Sequence, residues 1–158
     1  MDAEKWLISF RVMHDQWKKK ALNDNEKARY LAMRDELARS LMETQGQKAP
    51  DGVLPRRAVR VAQLFNIEVD GKKSMTRELS CTSFITIMQA GFTEGATVPV
   101  TLNLGRSVEP VMGQAVITSA LKQAGTSTRV VADFKGLLDP ALERIEEAVF
   151  DSILLRIK

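Results

Sequence analysis

Residues 56–79 read RRAVRVAQLFNIEVDGKKSMTREL, and how this stretch is divided decides the fold. Val61, Phe65, Ile67 and Val69 fall on one side together with Gln63, while Arg60, Ala62, Asn66 and Glu68 mostly fall on the other. That two-residue period describes a half-buried strand. Asp70-Gly71 is a hairpin-turn signature. Lys73, Met75, Arg77 and Leu79 then form a mixed alternating strand that returns antiparallel. At the head of the hairpin, Arg56, Arg57 and Arg60 set three guanidiniums on the lip of the first strand. A guanidinium is a rigid five-donor fork that fits phosphate and guanine edges and stacks on flat rings. The cluster either holds an anionic ligand or only solubilises a strand start, and by itself it does not separate the two.

Downstream, Ser80-Cys81-Thr82-Ser83 is a small polar connection into a third strand, Phe84–Met88. Its apolar side is either Ile85 and Ile87 or Phe84 and Met88, depending on register. Phe92–Gly95 turns the chain into a strand with Val98, Val100, Leu102 and Leu104 facing inward. Val111–Ser119 reads as another strand, interrupted or bent near Gly113, and Ala124–Ser127 turns into Arg129–Phe134. Short strands with regularly spaced turn residues indicate a sandwich or small barrel. No long helices alternate with them, so a parallel doubly wound sheet is not expected. The chain then reads as a helix, with Asp139 as its cap, Pro140 at the permitted first position and Glu143 in the first turn. Leu142, Ile145, Val149, Ile153 and Ile157 form the buried stripe of that helix, and Glu146 and Glu147 its solvated face.

Upstream, Gly46, Pro50, Gly52 and Pro55 punctuate a linker over residues 46–55, and Pro55 biases Leu54 away from helical geometry. Residues 1–45 are expected to form a helical hairpin, or an arm packed on the rest. Trp6, Phe10, Met13 and Trp17 share one stripe of a helix from about Asp2 to Ala21. Asn23 caps a second helix, with Glu26 completing a capping box and Tyr30, Met33, Leu37 and Leu41 as its stripe. Helices in water depend on burying one face. The Trp6–Trp17 stripe therefore packs intramolecularly, or serves as a dimer seam or protein-docking face; a membrane-lying helix fits less well, because the second helix carries acid as well as base. His14, beside the stripe, reads as a surface or interface residue.

The whole chain of 158 residues, 44% hydrophobic, suits one domain with an accessory element. Its net charge of +3, from 23 basic and 20 acidic side chains, is too balanced to indicate nucleic-acid binding, which needs concentrated positive charge. Cys81 is the only cysteine, which rules out an internal disulfide and a cysteine metal cluster. The single histidine gives no metal-ligand set and no catalytic triad. No phosphate-cradling glycine loop is present, since Gly91 and Gly95 lack the lysine and hydroxyl that should follow. Asp133 and Asp139 sit at element ends without acid–base spacing, and Cys81 reads as an inert buried thiol rather than a thiolate activated by Arg77. No catalytic residue, metal or cofactor is therefore expected. The absence of a long apolar run or an apolar leader makes a cytoplasmic protein without a membrane span the expectation.

From Pro55 onward the chain resembles the PilZ family, bacterial domains that bind cyclic di-GMP. The resemblance covers roughly residues 55–158 and leaves the helical front end outside. It rests on Arg56-Arg57-Ala58-Val59-Arg60, on Glu78-Leu79-Ser80-Cys81-Thr82-Ser83-Phe84, and on Val130-Val131-Ala132-Asp133-Phe134 before the closing helix. It implies a mainly β fold, a small six-stranded antiparallel barrel over residues 56–158 with a C-terminal helix. The family's first motif is Arg, three residues, Arg, matched by Arg56 and Arg60. These would grip the guanine edges and phosphates of an intercalated dinucleotide dimer, with Arg57 a further contact. The second motif is Asp or Asn, an apolar residue, Ser, two residues, Gly. Glu78 takes the acidic position, Leu79 and Ser80 fit, and Ser83 stands in place of the glycine. The resemblance therefore implies a ligand site of Arg56, Arg57, Arg60, Glu78, Ser80 and Ser83 in a cyclic di-GMP-controlled signalling adaptor. The alternative is a degenerate barrel that binds no nucleotide and works as a protein-interaction module through Trp6, Phe10, Met13 and Trp17.

Overall fold

In the computed structural model, which describes residues 2–157, the chain divides into two units, one ending at Val59 and the other beginning at Arg60. The first is built on α1 (Ala3–Lys18) and α2 (Asp24–Thr44). Asp2 caps α1 by accepting the Lys5 N–H at 2.8 Å. At α2 the capping box is complete. Asn23 Oδ1 accepts the Glu26 N–H at 2.8 Å, and Glu26 Oε1 accepts the Asn23 N–H at 3.0 Å. The reciprocal pair satisfies two of the helix's orphan donors.

The two helices pack through aromatic rings. Phe10 is fully buried, stacked on Trp6 and on Tyr30 with centroids 5.5 Å away in both cases. Trp17 lies 5.1 Å from Tyr30. On α2 the buried residues are Tyr30, Met33, Arg34, Ala38 and Met42, while Leu37 and Leu41 are only half-buried. From Tyr30 through Arg34 and Ala38 to Met42 the buried positions advance four at a time, so the packed stripe winds around the helix. His14 is buried rather than superficial, and its Nδ1 meets the Tyr30 hydroxyl. Its place four residues after Phe10 puts it on the packed side.

The arginine run does not open a strand. Pro55–Ala58 forms a short helix, α3, with Pro55 in its first turn, where a missing N–H costs nothing. α3 packs on α2. The expected division between residues 55 and 56 thus falls at Val59/Arg60, with Arg56 and Arg57 in the helical unit.

The second unit is the expected small six-stranded antiparallel barrel: β1 (Asn66–Val69), β2 (Lys72–Leu79), β3 (Ser83–Met88), β4 (Thr97–Asn103), β5 (Val111–Lys122) and β6 (Thr128–Lys135). Their order around the closed barrel is β1-β2-β3-β6-β5-β4. Asp70 and Gly71, at φ 52° and 77°, make the β1–β2 hairpin, the left-handed pair that such a turn demands. The first strand is shorter than its alternation suggests. Residues 60–65 meet β2 backbone to backbone at two points, an isolated bridge between Val61 and Leu79 and the Thr76 N–H, which donates to the Phe65 carbonyl at 2.8 Å. Thr76 explains the interruption: it is fully buried, its hydroxyl donates to the Gln63 carbonyl at 2.7 Å, and it accepts the Phe65 N–H at 2.9 Å. The inward residues of β2 are accordingly Thr76 and, after a register shift, Leu79, with Met75 and Arg77 outside.

β3 resolves its open register by burying both sides: Phe84, Ile85, Thr86 and Met88 are all buried. β5 runs straight through Gly113, which pairs with Val100, and its irregularity lies between Ile117 and Ser119 instead. Gly113 serves a close approach, since a Cβ there would stand 2.7 Å from Leu137 Cδ2. The last helix, α4 (Asp139–Arg156), starts one residue before the expected point, with Leu138 rather than Asp139 at the cap position. Glu146 is fully buried instead of solvated, whereas Glu147 is half-buried. α4 buries a wide arc (Ile145, Glu146, Val149, Phe150, Ser152, Ile153, Leu154), and position 146 falls inside it. Among the described residues no helix is long and apolar enough to cross a membrane.

Candidate ligand-binding site

In the barrel, the Val61–Leu79 bridge exchanges both backbone hydrogen bonds at 2.9 Å. Arg60 directly precedes Val61 and Ser80 directly follows Leu79, so the bridge joins the two backbone segments that carry them. Arg60 is half-buried, as is Glu78 in β2. The connection between β2 and β3 is a tight turn organised by Ser80, which is fully buried. Its Oγ accepts the N–H groups of Thr82 at 3.2 Å and Ser83 at 3.1 Å, and its own N–H donates to the Ser83 carbonyl at 2.9 Å. The Ser80 hydroxyl therefore shapes the turn that follows the bridge.

Ser83 begins β3 opposite Asp133. It is not among the residues with positive φ, so the backbone there accommodates a side chain without strain. Its hydroxyl is buried and finds no hydrogen-bond partner among the described residues. Cys81 is buried in the same turn, with its Sγ 3.6 Å from the Leu142 carbonyl of α4.

Arg56 and Arg57 belong to the helical unit, on α3. Asp35 of α2 takes hold of Arg56 twice: Oδ2 accepts from Nη1 at 2.6 Å and Oδ1 from the backbone N–H at 3.0 Å. A half-buried carboxylate gripping side chain and backbone together both fixes α3 on α2 and neutralises that guanidinium. Arg57 is half-buried, with its N–H bonded to the Leu54 carbonyl. The arginines of the first motif are thus divided, Arg56 and Arg57 with the helices and Arg60 with the barrel.

The Trp6, Phe10, Met13 and Trp17 stripe is turned to α2 at its centre. Phe10 is wholly enclosed, and Trp6, Met13 and Trp17 remain half-buried. Arg34, fully buried, sits 5.0 Å from the Trp17 ring and 4.7 Å from the Tyr30 ring, and donates from Nε to the Tyr30 hydroxyl at 2.7 Å. Three contacts lay outside the sequence reading: Asp35 on Arg56, Arg34 on Tyr30, and a set of α4 side chains on Ala62 and Gln63. Only the second had a local signal, the four-residue spacing of Tyr30 and Arg34 on one helix face. Among the described residues no three His, Cys, Asp or Glu side chains gather in a way that could hold a metal.

No family model and no curated protein matches the sequence. Solved structures do resemble it. The inhibitor of motility MotI from Bacillus subtilis matches with a TM-score of 0.55 at 8% identity, over 62% of this chain and 50% of that one. MrkH of K. pneumonia, described as a c-di-GMP-dependent transcription regulatory factor, matches at 0.50 with 15% identity, over 69% and 52%. The PilZ domain of YcgR from Escherichia coli, solved with c-di-GMP, gives 0.48 at 12% identity, over 60% and 88%. This chain thus spans about half the length of the first of these and of MrkH. The barrel has a PilZ-like fold.

Proposed function

We propose that this chain, built on a PilZ-like barrel, is a cyclic di-GMP-binding signalling adaptor rather than an enzyme. The observation that supports the reading is the Val61–Leu79 bridge, which joins the segment carrying Arg60 to the strand that runs into the Ser80 turn. A half-buried guanidinium beside an ordered turn suits a phosphate or a guanine N7/O6 edge, because the fork donates two parallel hydrogen bonds without full desolvation. Stacking of the same group on a guanine would add about 1 kcal/mol. Calorimetric titration of the full chain with cyclic di-GMP, beside Arg60→Ala, tests this. Saturable binding that weakens at least about tenfold in the variant is the expected result. No saturation at about 100 μM ligand with the fold intact sinks the reading.

A second reading has its own observation. Asp35 already neutralises Arg56, and Ser83 occupies the position where the family motif has glycine. On this reading the barrel binds no nucleotide, and the chain engages a protein partner or a second copy through the Trp6–Trp17 helix. It predicts that Trp6→Ala with Trp17→Ala changes oligomer mass or partner capture, while Arg56→Ala changes neither. A double variant with unchanged mass and capture rules it out.

A further inference from the structure

Residues 60–65 carry Arg60 yet have no continuous ladder to hold them. Val61 is pinned by its bridge to Leu79, and Thr76 ties Gln63 and Phe65 from the barrel side. The remaining ties come from the far end of the chain. Ser152 Oγ donates to Gln63 Oε1 at 3.1 Å. Arg156 Nη2 reaches the same oxygen at 3.4 Å and also donates to the Ala62 carbonyl. Ser152 and Arg156 are four residues apart, hence stacked on one face of α4. Arg156 also lies in the last turn, where a cation complements the helix dipole. Two side chains of one helix thus converge on the two residues that follow the Arg60–Val61 pair.

We infer that the C-terminal turn of α4 is a positioning clamp for Arg60: Ser152 and Arg156 hold Ala62 and Gln63, and through them set the direction in which the Arg60 guanidinium leaves the rim. The consequence for ligand rests on the cyclic di-GMP reading above; the holding of the segment does not. Arg156 and Ser152 are positioning residues in this scheme and touch no ligand. The clamp also links the site to the end of α4, so that occupancy at Arg60 and order in the Leu155–Ile157 turn rise together.

The test uses the full chain with Arg156→Met, Arg156→Lys and Ser152→Ala. Methionine keeps the aliphatic reach without a donor, and lysine restores one charged donor for the Ala62 carbonyl. Amide hydrogen exchange without ligand is expected to speed up about tenfold across residues 60–65 in Arg156→Met, and to recover largely in Arg156→Lys. Exchange in β4 and β5 stays unchanged. The dissociation constant for cyclic di-GMP rises about tenfold in Arg156→Met, with the same order of recovery. Leu155→Ala, at an exposed neighbour, alters neither measurement. Unchanged exchange at 60–65, or equal acceleration throughout the barrel, overturns the clamp. Faster local exchange with unaltered affinity overturns its positioning role. Where the wild-type chain binds no dinucleotide, the ligand reading falls and the exchange data alone decide the clamp.

Discussion

The helical unit and the barrel bury polar groups in opposite ways. In the helices a full cation, Arg34, is enclosed by Trp17 and Tyr30, with His14 on the other side of the same hydroxyl. Large rings with polarisable faces make that cation tolerable. In the barrel near the first strands, the short buried hydroxyls of Thr76, Ser80 and Thr86 each bond backbone carbonyls or amides, while that of Ser83 finds no partner among the described residues. The arginines of the first motif divide along the same line. Arg56 is committed to a carboxylate of its own unit, and Arg60 stands at the barrel rim. Spacing in sequence sets which guanidiniums are neighbours along the chain, while the partners each unit supplies decide which of them is paired with a carboxylate.

The sharpest break of this contrast is expected from Phe84→Ala. That ring is 5.3 Å from Phe134 and almost fully buried. Its loss should destabilise the barrel by about 4 kcal/mol, read as a lower denaturant midpoint followed by exchange at barrel amides. Next comes Arg34→Ala, which removes the cation, leaves a cavity and deprives Tyr30 of a donor. About 3 kcal/mol should be lost, reported by far-UV circular dichroism of the helices. An effect below about 0.5 kcal/mol would mean that the aromatic enclosure does not stabilise the cation.

Thr76→Val should cost about 2 kcal/mol, because the Gln63 carbonyl and Phe65 N–H lose their partner together while side-chain volume is kept. Chemical denaturation measures it, and a neutral result would show that water replaces the hydroxyl. Ser83→Gly is the smallest expected change, within about 1 kcal/mol. It deletes a buried hydroxyl that has no partner among the described residues, but it adds chain freedom at a position with ordinary φ. If the serine β-carbon crowds the site, affinity for cyclic di-GMP improves in this variant; unaltered affinity clears Ser83 of that role.

Much of the architecture was legible because its signals are local. Asn23 and Glu26 announced their capping box, Asp70-Gly71 its hairpin, and the alternation of Val98, Val100 and Leu102 its inward face. What failed depended on partners remote in sequence. The stretch before Asn66 alternates like a strand, yet Thr76 withdraws it from the ladder. Pro55 carried a helix-start signal that the arginines beside it obscured. Glu146 and Glu147 are identical side chains, and only their angular positions on α4 separate the buried one from its half-buried neighbour. The motif spacing names Arg60, Ser80 and Ser83, whereas the contacts of Asp35 with Arg56, and of Ser152 and Arg156 with Gln63, join elements remote in sequence and left no mark in the local pattern.

Everything proposed for the ligand depends on one rim, where Arg60 and the Ser80–Ser83 turn meet one molecule. Backbone amide chemical shifts of the full chain, followed by NMR as cyclic di-GMP is added, address that rim residue by residue. The account predicts saturating changes concentrated at Arg60, Val61 and Ser80–Ser83, abolished by Arg60→Ala. Flat titration curves at those amides, or changes confined to other faces of the barrel, would contradict it.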